Sequence, residues 1–135
     1  AVFRSPMAHT PYPGAQAVNL ILNTVLKVFE DFAYHRELAT ADGLSVVLEF
    51  SAKVGGRELK GIDMIRFDDS GRIVEFEVMV RPMSGLQALG AEMAQRLRQV
   101  QLQIRFSLTW HHSRLQLLGL SFLFTAGQNY CGTSY

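Results

Sequence analysis

Apolar positions along the first two-thirds of the chain recur with two different periods, and the change of period marks the elements. From Ala15 to Phe29, Val18, Ile21, Leu22, Val25, Leu26 and Phe29 return every three or four residues, which describes one face of a helix. Beyond it the period becomes two. Residues 44–54 put Leu44, Val46, Leu48, Phe50, Ala52 and Val54 on one face, opposite Ser45, Val47, Glu49, Ser51 and Lys53. Gly55-Gly56 then supplies a tight hairpin turn. In residues 57–67, Leu59, Gly61, Asp63, Ile65 and Phe67 share a face, and Asp68-Asp69-Ser70-Gly71 is a second turn. Residues 72–81 set Val74, Phe76, Val78 and Val80 against Glu75, Glu77, Met79 and Arg81. A weaker strand, Phe32–Ala39, precedes these three.

The flanks follow from turn and cap chemistry. A short strand at Ala1–Arg4 leads into Ser5–Gly14, whose three prolines and glycine predict a constrained loop. After Pro82, Ser84-x-x-Gln87 reads as a capping box ahead of a helix striped by Leu86, Leu89, Met93 and Leu97. The expected fold is α+β: a curved antiparallel sheet, cone-shaped, with its apolar face packed on helices.

Composition divides the chain. Apolar residues make up 48% and charged ones 19%, which predicts a buried core. The net charge of +1 gives no electrostatic basis for binding nucleic acid, and no apolar run reaches the roughly 18 residues of a membrane helix. A cytoplasmic location is expected. Residues 1–97 carry all 12 acidic residues and 10 of the 13 basic ones, whereas residues 98–135 hold three arginines and no acid. Two segments are therefore expected: a domain over 1–97 and an atypical tail over 98–135. The apolar stretch 115–126 has no clean period, so the tail reads as an added strand, an arm between subunits, or read-through sequence. The lone Cys131 excludes an internal disulfide, and the adjacent His111 and His112 lack the spacing of a shared metal site. No metal site and no cofactor are expected.

Asp63 breaks its own pattern, since alternation puts it with Leu59, Ile65 and Phe67 on the inward face. A buried carboxylate without a partner is costly and tends to stay protonated, and a neutral acid in an apolar cavity can donate a hydrogen bond to a developing oxyanion. Two other readings of Asp63 stand beside this one: pairing with a donor such as His9 or Arg4, or an outward position at a bulge. His9 and Tyr12, in the proline-rich loop, are candidate polar groups near a cavity mouth.

The segment Gly61-Ile-Asp-Met-Ile-Arg-Phe-Asp-Asp-Ser-Gly-Arg-Ile-Val-Glu-Phe76 resembles the hairpin of the nuclear transport factor 2-like superfamily. Val2-Phe-Arg-Ser-Pro…Tyr-Pro-Gly14 and Val80-Arg-Pro82 resemble it as well. That superfamily includes ketosteroid isomerases, polyketide-cyclase-like proteins, limonene epoxide hydrolases, and dimerising or transport domains without catalysis. The resemblance covers residues 1–97. Members usually begin with further helices that close the cone, so an N-terminal helix is expected to be missing or truncated here. The resemblance also implies that Asp63 matches the protonated oxyanion-hole aspartate of the isomerases. Their general base would fall at Ser5, and the Arg/Asp pair of the epoxide hydrolases at Glu77 and Val78.

The expected site is an apolar pocket for a small hydrophobic ligand, with Asp63 and His9 as catalytic groups. Ser5, Tyr12, Leu48, Phe50, Leu59, Phe76, Val78 and Val80 are the expected substrate contacts. Two functions fit: an isomerase-, cyclase- or hydrolase-type enzyme, or a non-catalytic ligand-binding or dimerisation module. A homodimer through the outer face of the sheet is expected in either case, with Val47, Ile62 and Met64 as apolar contacts.

Overall fold

The computed structural model describes the backbone of residues 1–125 and the side-chain surroundings of residues 1–105. It divides at Leu97/Arg98 into two units. The first unit holds β1 (Val2–Arg4), β2 (Tyr12–Pro13), α1 (Ala15–Val28), β3 (Glu30–Ala39), β4 (Ser45–Val54), β5 (Arg57–Phe67) and β6 (Ile73–Arg81). It also holds the start of α2 (Met83–Thr125).

The strands form one six-stranded sheet in the order β2-β1-β6-β5-β4-β3. From β3 to β6 it is the expected antiparallel meander. Val54 and Arg57 close the β4–β5 hairpin, with Gly55 at φ 54° and Gly56 at φ 75°, backbone that only glycine adopts without strain. The expected strand at Ala1–Arg4 joins this sheet as β1, and β2 is a further strand that was not expected. β1 runs parallel to β6, pairing Phe3 with Phe76, and β2 turns back to pair Tyr12 with Phe3. The sheet is therefore mixed rather than wholly antiparallel. Periodicity within a strand carries no signal for the direction of its neighbour.

Alternation in β4, β5 and β6 sorts the faces as the sequence implies. Phe50, Ala52, Val54 and Leu59 are at most 4% exposed, and with Val28 of α1 and Leu89 of α2 they form one core cluster. Phe3, Val18 and Phe76 form a second under the β1 side. The outer face carries ion pairs instead: Glu75 with Arg4 and Arg66, and Glu49 with Arg36 and Lys60. Exposed pairs of this kind contribute little each. The register of β3 slips twice against β4, between Glu30 and Ala33 and between Tyr34 and Glu37. At the second slip His35 and Arg36 both turn outward, His35 to Ser51 and Arg36 to Glu49.

α2 begins at Met83, and the Pro82 carbonyl accepts the amide of Leu86 at 3.0 Å. Ser84 thus lies inside the first turn rather than ahead of it, and the expected capping box is not formed. The tail, expected as a strand, an arm or read-through, is helical from Arg98 to Thr125, and no proline interrupts that stretch. Cys131 lies outside the described residues, and so do the side chains of His111 and His112. No helix among the described residues is long and apolar enough to cross a membrane.

Candidate functional site

The two helices cover the inner face of the sheet incompletely, and a cavity of about 530 Å³ remains inside the first unit. α1 contributes Ile21, Leu22, Val25 and Leu26, and α2 contributes Leu89, Gly90 and Met93. The loop after β1 adds Ser5, Pro6 and Met7. The Met7 thioether lies against Gly90, which has no side chain to push it away.

Asp63, near the middle of β5, is buried at 7% exposure and lines this cavity. In register it faces Leu48 on β4 and Val78 on β6. Its partner is the Tyr34 hydroxyl, which donates to Oδ2 at 3.1 Å. The alternatives of a pairing with His9 or Arg4 are set aside: Arg4 bonds Glu75 on the outer face. Burial in apolar surroundings pushes the Asp63 carboxyl up to about 6, against the opposing pull of the Tyr34 bond. Tyr34 is raised to about 12, first by desolvation and then by the neighbouring Asp63 charge. Near neutral pH both protonation states of Asp63 are accessible, and Tyr34 stays a donor.

The pair stands at one end of an aromatic wall. Phe32 meets Tyr34 edge-on at 4.9 Å and stacks on Phe29 at 5.6 Å, while Phe50 packs against Phe29 and Phe32. Among the described residues, no lysine, arginine or histidine lines the cavity. Such a site can bind an apolar ring-bearing molecule and offer one polar contact to it.

Of the expected contacts, Ser5, Tyr12, Phe50, Phe76 and Val78 line the cavity together with Asp63. Leu48, Leu59, Val80 and His9 do not. Leu59 is 2% exposed in the core cluster, and Val80 packs against that cluster. Both lie toward the β4–β5 hairpin end of the inner face, which is longer than the cavity. Leu48 faces Asp63 but is absent from the lining. His9 is exposed, held away by the proline-rich loop, so it is no partner to Asp63 in this structure. The sequence reading missed Tyr34 and Phe32. Their two-residue spacing on β3 was a usable signal, blurred by the two bulges that follow and precede it.

No group of three or more metal-ligating side chains occurs among the described residues. No family model and no curated protein matches the chain. Solved structures do. The chain is similar to a steroid delta-isomerase from Pseudomonas aeruginosa, with 78% identity over 76% of this chain and 74% of that one, and a TM-score of 0.74. It is similar at 33% identity to an uncharacterized bacterial protein with a cystatin-like fold from Silicibacter pomeroyi, covering 72% of this chain and 67% of that one, with a TM-score of 0.69. SalBIII, an epoxide hydrolase/cyclase-like enzyme of pyran-ring formation in salinomycin, shares the fold at 18% identity and a TM-score of 0.51, over 63% of this chain and 71% of that one. An α+β sheet curved around an apolar cavity is the class these features define. The chain belongs to the nuclear transport factor 2-like superfamily.

Proposed function

We propose that the chain is an enzyme of the isomerase, cyclase or hydrolase kind, acting on a small hydrophobic molecule with a carbonyl or a ring oxygen. Asp63 serves as hydrogen-bond donor or general acid. The observation that carries this reading is a buried carboxyl with a raised pKa, facing an apolar cavity and bonded to Tyr34. In its neutral form Asp63 donates to the ligand oxygen and stabilises negative charge as it develops there. Tyr34, hydrogen-bonded beside it, fixes the orientation of the carboxyl. The similarity to a steroid delta-isomerase supports a fused-ring ketone as the first substrate to try. Ser5 stands where the isomerase family places its base, and a serine hydroxyl is a poor base near neutral pH. Single-acid chemistry on a ring oxygen therefore belongs in the same screen.

A panel of enones, lactones and epoxides, assayed with the wild-type protein and with Asp63→Asn, tests this. The expected result is turnover of at least one member, with a loss of about 100-fold or more in the variant. Turnover that survives the substitution, or none while ligand is still bound, overturns the catalytic reading.

The outer face of the sheet favours a second reading, a dimerisation module. Met64 and Met79 are 38% and 49% exposed there, beside the half-buried Val47 and Ile62, in a surface where Glu49 and Glu75 already pair with Lys60 and Arg66. A second copy laid face to face would cover these side chains. Sedimentation of wild type and Met64→Lys checks it; a monomer at high concentration would rule the dimer out.

A further inference from the structure

We infer that the cavity takes hydrophobic ammonium ions: molecules with an apolar, ring-bearing body and one tertiary or quaternary nitrogen. The inference rests on the same reading of the cavity as a small-molecule site, but names a ligand class of opposite electrical character to a ketone.

Three observations lead there. Among the described residues, the lining holds one carboxyl group, Asp63, and no lysine, arginine or histidine to neutralise it. The remaining ionisable groups of the lining, among the described residues, are the phenols of Tyr12 and Tyr34, contributed by β2 and β3; α1, β4, β6 and the described part of α2 contribute none. Tyr34 engages Oδ2, and among the described residues no hydrogen bond is made to Oδ1. When Asp63 ionises, its charge therefore has one neutral donor and no counter-ion among the described residues. An ammonium ion beside Oδ1 supplies the missing opposite charge in surroundings that screen it weakly.

The aromatic wall adds a second attraction. Phe29, Phe32, Tyr34 and Phe50 have neighbouring ring centroids between 4.9 and 5.7 Å apart, and all four line the cavity. Clustered aromatic rings are what hold quaternary ammonium ligands elsewhere, and here they stand beside a carboxyl group. A neutral carbonyl ligand instead needs Asp63 protonated so that it can donate. The two ligand classes thus select opposite protonation states of one residue, and their affinities change in opposite directions with pH.

A probe of fixed charge isolates the effect. Benzyltrimethylammonium has no titratable proton, and neopentylbenzene is its neutral carbon isostere. Both are titrated into the full chain by NMR at about pH 5 and about pH 8, on either side of the Asp63 transition near 6. Tyr34, raised to about 12, does not titrate in this range. The ammonium should bind about tenfold tighter at the higher pH, in proportion to the ionised fraction of Asp63. The isostere should show no such gain, and Asp63→Asn should abolish the pH dependence of the ammonium. If that variant fails to fold, the two wild-type pH series still decide. Binding of the isostere without the ammonium, or an ammonium affinity indifferent to pH, overturns this inference alone. Failure of both probes at both pH values overturns it together with the small-molecule reading of the cavity.

Discussion

The ring of Phe50 occupies the space that a side chain at position 61 would fill. A Cβ on Gly61 would lie 2.6 Å from Phe50 Cε1 and 2.7 Å from the Met79 carbonyl oxygen. Phe50 is 1% exposed and cannot swing out, and the Met79 carbonyl is backbone. Gly61→Ala should therefore cost about 1–3 kcal/mol, the range of overpacked cores. Urea unfolding measures it. A midpoint unchanged from wild type would mean that Phe50 has room to move.

Gly90 gives the opposite case. A Cβ there would meet only the far end of the flexible Met7 side chain, which is 53% exposed. Gly90 lies inside α2, where alanine is favoured over glycine by about 1 kcal/mol. Gly90→Ala should leave stability level or raise it by up to that amount, while displacing Met7 from the cavity lining. Thermal unfolding checks the first part, and a changed ligand affinity checks the second.

Asp63 makes stability depend on pH with a definite sign. Its carboxyl is raised from 3.8 to about 6, so between these values the folded protein holds a proton that the unfolded chain has lost. Stability thus falls as pH rises through this window and levels off above it. Allowing for residual solvent screening, the loss is on the order of 2 kcal/mol. Asp63→Asn should flatten this slope, gaining on wild type above about pH 6 and not below about pH 4. Denaturant midpoints across the range decide it; parallel curves for the two proteins would show an ordinary carboxyl.

Tyr34 opposes that shift, because its donated bond favours the charged carboxylate. Tyr34→Phe keeps the ring against Phe32 and deletes the bond, so the Asp63 pKa should move upward from about 6. Carboxyl-carbon NMR reads the titration directly. A value that stays or falls would mean that the phenol is not bonded to Asp63 in solution.

Much of this was legible in the sequence because one-sided burial writes itself as a period. Val18 to Phe29 announced α1 to within one residue of its end, and Phe50, Leu59 and Phe76 each fell on the inward face. Asp63 stood out because it carried a charge on that face. What stayed hidden depended on relations between segments. The parallel pairing of Val2, Phe3 and Arg4 with Glu75, Phe76 and Glu77 has no local signature. Tyr34 was missed because one register slip spans Phe32 and the next follows Tyr34, which interrupts the alternation that would have marked both as inward. Leu59 and Val80 were placed on the correct face, but alternation does not tell where along that face the helices leave a gap.

The slips in β3 have another consequence. β3 and β2 are the two ends of the sheet, where unpaired amides and carbonyls could recruit a strand from another molecule. β3 is twice bulged and carries Glu30, Asp31, Arg36 and Glu37 along its length, and β2 is two residues long and ends in Pro13. Neither border offers a straight, regularly spaced ladder for an incoming strand. Open-ended polymerisation through the sheet is thereby discouraged at both borders, and a regular pairing of two copies is left to the faces of the sheet.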